Sequence, residues 1–77
     1  MMEELLELLS ELKPEIDFKT EKSLIDDGLL ESFDVITLIA EMEDRFEIEV
    51  PAEEIIPENF NTAEGIWMLL ERIRREG

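Results

Sequence analysis

Between Ser32 and Phe46 the chain runs fifteen residues without Gly or Pro, and its apolar residues recur at helical spacing. On a wheel advancing about 100° per residue, Val35, Leu38, Ile39, Met42 and Phe46 fall within roughly 100° of one another. An arc of that width is a core-facing stripe, so the segment must lie as a helix against other apolar surface. The whole chain has 77 residues, which is room for one small domain around that helix. Leu5, Leu8, Leu9 and Leu12 repeat at i, i+3, i+4 and i+7 and predict a helix over Met2–Leu12, stopped by Pro14. Ala63, Ile66, Trp67, Leu70 and Ile73 predict a final helix over residues 63–75, capped by Asn61 or Thr62. Arg72, Arg74 and Arg75 sit in its last turn, where the helix dipole favours cations.

The connections carry their own signals. Residues 15–31 hold Ile16, Phe18, Leu24, Ile25, Leu29 and Leu30, too many apolar side chains for a purely solvated loop. The segment is expected to cross the helices with those residues tucked beneath it, and so long a connection is often functional. Asp26-Asp27-Gly28 marks a turn, with Gly28 able to take a positive φ. Residues 47–50 alternate like a strand but are too few to form one. Pro51 suits the start of a short helix over residues 52–56, ended by Pro57. The expected fold is all-α: a small four-helix bundle with three main helices, a short third helix and a long loop between the first two. It forms a single domain of residues 1–77.

Charge and absent residue types narrow the function. Asp and Glu number 22 against 7 Lys and Arg, a net charge of −15, and there is no His, Cys or Tyr. Cys/His zinc sites, haem ligation by those residues, a Ser-His-Asp triad and a Cys-His dyad are therefore excluded. No disulfide can form, so nothing points to an oxidising compartment. Nucleic acid is not an expected partner, because its phosphates would repel this charge. The apolar fraction of 44% is that of a globular chain rather than a disordered one. No apolar run is long enough to span a membrane, and the start, Met1-Met2-Glu3-Glu4, is acidic. A cytoplasmic monomer is expected. Asp26-Asp27 lacks the spaced oxygens of a calcium loop, and no carboxylate pair is singled out for acid–base work. Neither a catalytic residue nor a resident metal is expected.

The central helix has a second apolar stripe. Phe33, Ile36 and Ala40 are spaced i, i+3, i+7, centred roughly 120° from the core arc. One reading is a single broad arc with Phe33 folded under at the helix start. The other is a partly exposed stripe bordered by acids, suited to an apolar groove rimmed by Lys and Arg on a partner. From Leu24 to Glu71 there are fourteen acids and one base, Arg45, so nearly all the net charge lies there. Such a field steers basic partners. Ser32 opens this helix, and position alone predicts an N-cap. The same position suits a phosphodiester, since free N–H groups and the dipole stabilise phosphate at a helix start.

The run Asp27-Gly28-Leu29-Leu30-Glu31-Ser32-Phe33-Asp34 resembles the phosphopantetheine attachment motif of acyl carrier proteins. In that family an acidic residue precedes the modified Ser and a large apolar residue follows, here Glu31 and Phe33. Glu31 stands where the family usually has Asp, keeping the charge on a longer side chain. Residues 41–51 look like the family's second helix end and its approach to a short third helix. Phe60-Asn61-Thr62 resembles the start of its fourth. The likeness covers about residues 24–73.

The resemblance implies that a phosphopantetheinyl transferase esterifies Ser32 with 4′-phosphopantetheine, with Glu31, Phe33 and Asp34 beside it. The arm would supply the thiol that this chain lacks. The chain would then hold an acyl group as a thioester and shuttle it, without catalysis of its own, between loading and transfer enzymes with basic docking surfaces. Phe33, Ile36 and Ala40 would be contacts for those partners, with Asp34, Glu41 and Glu43 offering charge. The leading expectation is a general acyl carrier, as in fatty acid biosynthesis. The alternative is a D-alanyl or other aminoacyl or peptidyl carrier loaded by a separate adenylating ligase. The Leu30-Glu31-Ser32-Phe33 run and Phe60-Asn61-Thr62 look closer to that branch. A binding module for a basic protein, with Ser32 only a cap, is the competing class; a small hydrolase has no residue cluster in its favour.

Overall fold

Apolar periodicity is realised directly in the computed structural model, which describes residues 2–76. Met1 and Gly77, the ends of the expected domain, lie outside the described residues. Helix α1 spans Met2–Leu12, α2 Ser32–Phe46, α3 Pro57–Phe60 and α4 Ala63–Glu76. A 3-10 turn, Ala52–Glu54, precedes α3. No strand occurs among the described residues, and the all-helical expectation holds. α1 packs against both α2 and α4, and α3 packs against α4.

The core is built largely from the predicted stripes, except that on α4 Leu69 is buried while Trp67 and Ile73 of the predicted face are only partly buried. Leu5, Leu8 and Leu9 of α1, Leu38, Met42 and Phe46 of α2, and Ala63, Ile66, Leu69 and Leu70 of α4 are buried. Val35 and Ile39 complete the α2 stripe at its half-buried margin. The long loop contributes as expected. Phe18, Leu24 and Leu30 are buried in the same cluster, with Ile16, Ile25 and Leu29 packed at its edge. No polar side chain is buried among the described residues, so the core is held by apolar contact alone.

Helix α2 ends without a glycine. Glu47 takes the left-handed conformation at φ 55°, and Ile48 N–H bonds back to the Glu43 carbonyl at 3.3 Å. The alternating stretch that follows is an irregular strap, with Ile48 and Val50 turned towards the core and Glu49 outward. Val50 N–H donates to Glu43 Oε2 at 3.1 Å and ties the strap to α2.

One element differs from expectation. Residues 52–56 do not form a helix ended by Pro57; Pro57 instead opens α3. Proline fits the first helical position, where its missing N–H would have had no partner. It also drives the preceding residue out of the helical region. Ile56 is accordingly extended, at φ −128° and ψ 153°. Ile55 and Ile56 therefore lie in a link between two short turns, partly exposed rather than on a buried helix face.

Candidate functional site

Ser32 is the first residue of α2 and not its cap. The cap is Glu31, whose backbone is extended at φ −98° and ψ 172°. Asp34 reaches back so that its Oδ2 accepts the Glu31 N–H at 3.0 Å, the reciprocal arm of a capping box. The expectation that Ser32 caps the helix is thus overturned. The cap position falls one residue earlier, at Glu31, so the Ser32 hydroxyl stands within the first turn and does not act as the cap. Ser32 is exposed, and its hydroxyl has no hydrogen-bond partner among the described residues.

Asp34 serves structure as well as charge. Lys13, just past α1, lies 3.3 Å from Asp34 Oδ2. The Glu31 N–H, more than Lys13, holds the Asp34 carboxyl below its usual range against the opposing effect of burial. Lys13 is raised in turn, chiefly by its bond to Asp34. The contact fastens the α1 exit to the first turn of α2.

The second stripe of α2 is open to solvent. Phe33 is 77% exposed and Ile36 64% exposed, and Ala40 is exposed beside them. The broad-arc alternative, with Phe33 folded under, does not occur. The nearby acids are partly engaged within the chain. Glu41 pairs with Arg45 at 3.4 Å, Arg45 reaches Glu11 on α1 at 2.7 Å, and Glu43 holds the Val50 N–H.

Beside Ser32 lies an open groove of about 660 Å³, a size typical of small-ligand sites. Val35 and Ile36 of α2 form one wall, Ile25 and Leu30 of the loop another, and Ile55, Ile56, Pro57 and Phe60 the third. Glu31 and Ser32 stand on its lining. Sequence reasoning missed the third wall because it placed Ile55 and Ile56 in a helix. The adjacent Ile55-Ile56 pair directly before a proline was the available signal, since that proline forces an extended link.

The loop leading to Ser32 is folded tightly. Asp27 N–H bonds to the Ser23 carbonyl at 2.8 Å, Gly28 N–H to Ile25 at 3.0 Å, and Leu30 N–H to Leu24 at 2.9 Å. Gly28 takes φ 76°, as the turn signal predicted. Of the two residues expected to cap α4, Thr62 does so, accepting the Gly65 N–H at 2.8 Å. Asn61 turns away and bonds to the loop instead.

Among the described residues no group of three or more Asp and Glu converges as a metal cluster. No helix among them is long and apolar enough to cross a membrane. The site therefore offers an exposed, unengaged hydroxyl, an apolar groove next to it and an apolar stripe leading away. Such a constellation leaves the hydroxyl accessible, with apolar surface on either side of it.

Comparison with known proteins gives the same direction. The family defined by a phosphopantetheine attachment site matches residues 3–66. The D-alanyl carrier protein of Streptococcus sanguinis (strain SK36) is 38% identical over 64 residues, covering 82% of this chain and 81% of that protein. The D-alanyl carrier protein of Streptococcus thermophilus (strain CNRZ 1066) matches with the same identity and coverage.

Proposed function

The chain belongs to the phosphopantetheine attachment family, and from that premise we propose that Ser32 bears the arm and that the cargo is an aminoacyl group. Members of this family are non-catalytic carriers with covalently attached 4′-phosphopantetheine, and this chain is one of them. The observation that carries the assignment to Ser32 is its hydroxyl, exposed at the first position of α2 and one residue past the cap, Glu31. The groove of about 660 Å³ beside it is large enough for an extended arm. When bound, the group supplies the thiol on which cargo is held.

Attachment forms a bond from Ser32 Oγ to the pantetheine-bearing phosphorus of coenzyme A and breaks that atom's bond to the bridging oxygen of the pyrophosphate. The nucleotide half leaves as adenosine 3′,5′-bisphosphate, and the Ser32 hydroxyl proton passes to a base of the transferase. Among this chain's own residues, Asp34 and Glu31 hold the helix start in place. Phe33, Ile36 and Ala40 provide the apolar surface on which partners with basic rims would dock, and the acids around it steer them.

The relatives' name favours D-alanine or another amino acid as cargo over fatty-acid intermediates. The expectation of a general carrier for fatty acid biosynthesis yields to that alternative. The test is incubation with coenzyme A and a broad-specificity phosphopantetheinyl transferase, followed by intact mass. Wild type should gain one phosphopantetheine and Ser32→Ala none; an unchanged wild-type mass would reject the attachment. The loaded form is then offered D-alanine, ATP and a D-alanine-adenylating ligase. A hydroxylamine-labile alanyl adduct is expected, and loading only by fatty acyl donors would reject the cargo.

A further inference from the structure

Asn61 makes more contacts to the attachment loop than any sequence signal suggested. Its side-chain Oδ1 accepts the Ile25 N–H at 2.9 Å and the Asp26 N–H at 3.1 Å. Its Nδ2 donates to Asp26 Oδ2 at 3.2 Å. Its backbone carbonyl accepts the Leu24 N–H at 2.9 Å. One residue at the α3–α4 junction thus holds three successive residues of a loop some 35 positions earlier in the chain. The loop's internal bonds, from Asp27, Gly28 and Leu30, fold it into a turn but do not attach that turn to the helices. Leu24 and Leu30 anchor it by burial, and Asn61 orients it between them.

We propose that Asn61 is a positioning residue for modification of Ser32: it fixes residues 24–26 and so presents the loop and the hydroxyl in the one arrangement the transferase accepts. This rests on the reading of Ser32 as the attachment site. The two backbone N–H groups at Ile25 and Asp26 need a single acceptor placed between them. An amide meets that need and also supplies a donor for the Asp26 carboxylate. An aspartate at the same position would face Asp26 with like charge. Thr62, the neighbouring residue, is committed to α4, so capping and loop-holding are divided between adjacent side chains. With Asn61 removed, the turn can sample other orientations. The fraction of molecules ready for the transferase falls, and apparent affinity falls with it, while turnover at saturation is kept.

The experiment measures KM and kcat for transfer from coenzyme A with this chain as the varied substrate. Asn61→Ala should raise KM about ten-fold with kcat within about two-fold of wild type. Ile73→Ala, on the far part of α4, serves as a control for general loss of stability and should leave KM unchanged. Amide exchange should speed up at Ile25 and Asp26 in Asn61→Ala but not in Ile73→Ala. Asn61→Asp alone should raise KM. Adding Asp26→Asn exchanges donor and acceptor between the two side chains and should return KM to within about two-fold of wild type. These two variants carry the test if Asn61→Ala does not fold. Equal KM changes in Asn61→Ala and Ile73→Ala, no change in either, or a double variant as impaired as Asn61→Asp would overturn the inference. A wild-type chain that gains no arm removes the attachment reading and this inference together. A wild type that gains the arm, beside an Asn61 variant of unchanged KM, overturns the inference alone.

Discussion

Asp34 links the chemistry of the site to the stability of the fold. Its carboxylate accepts the Glu31 N–H and lies against Lys13. Asp34→Ala leaves that N–H without its partner, and loss of a cap of this kind costs about 0.5–2 kcal/mol. Urea unfolding at neutral pH measures it. The pH dependence has a definite sign. The folded-state pKa of Asp34 is lowered, so its contribution is fully present above the ordinary carboxylate value. It is lost as pH falls through the lowered value. The stability gap between wild type and Asp34→Ala should therefore be constant near neutrality and close under acid conditions below about pH 4. A gap that widened on acidification would show that Asp34 does not act through its ionised form. At this scale the sequence marks Ser32 as the candidate for modification and is silent about its place one residue past the cap. An Asp two positions after a Ser is legible as charge, but its role as a helix-start acceptor depends on the extended backbone at Glu31.

Among the elements, the two ends of α2 contrast. The start is satisfied by Asp34; the end forces Glu47 into the left-handed region at φ 55°. That conformation costs a side-chain-bearing residue roughly 1–2 kcal/mol, and the added negative charge sits at the unfavourable end of the helix dipole. Glu47→Gly should stabilise the chain by about 1 kcal/mol, raising Tm by roughly 4–8 °C for a domain of this size. A differential scanning measurement that found a lower Tm would show that the Glu47 side chain has a compensating contact. The three main helices were readable because each carries a long periodic stripe. The region between residues 51 and 62 was not, because α3 has four residues and too little periodicity to identify it. The choice between Pro57 as terminator and Pro57 as first residue is decided by α3 packing on α4 with Phe60 buried.

Across the whole molecule, a net charge of −15 on 77 residues opposes compaction. The described ion pairs, such as Arg45 with Glu11 and Arg72 with Glu54, join neighbouring elements but leave most acids unpaired by base. Arg74 lies over the Phe46 ring at 5.3 Å, a cation–π contact. Sodium chloride or magnesium at moderate concentration should raise Tm by screening the surplus charge. A lowered Tm would mean that the existing ion pairs outweigh the repulsion. The same salt should weaken transferase binding, since charge that opposes folding also steers a basic partner.

Sequence by itself determined the helical class, the burial of the long loop, the acidity of the central helix and the Ser that the attachment motif marks. These follow from period, composition and short-range spacing, which act within a few residues. Tertiary structure decided that Phe33 and Ile36 face solvent, that Ile55 and Ile56 wall the groove, and that Asn61 holds the attachment loop while Thr62 caps α4. Periodicity shows that a face is apolar; only the packing of other elements determines whether it is covered. Asn61 and Thr62 were equally good caps on paper, and the position of a loop some 35 residues away separated them.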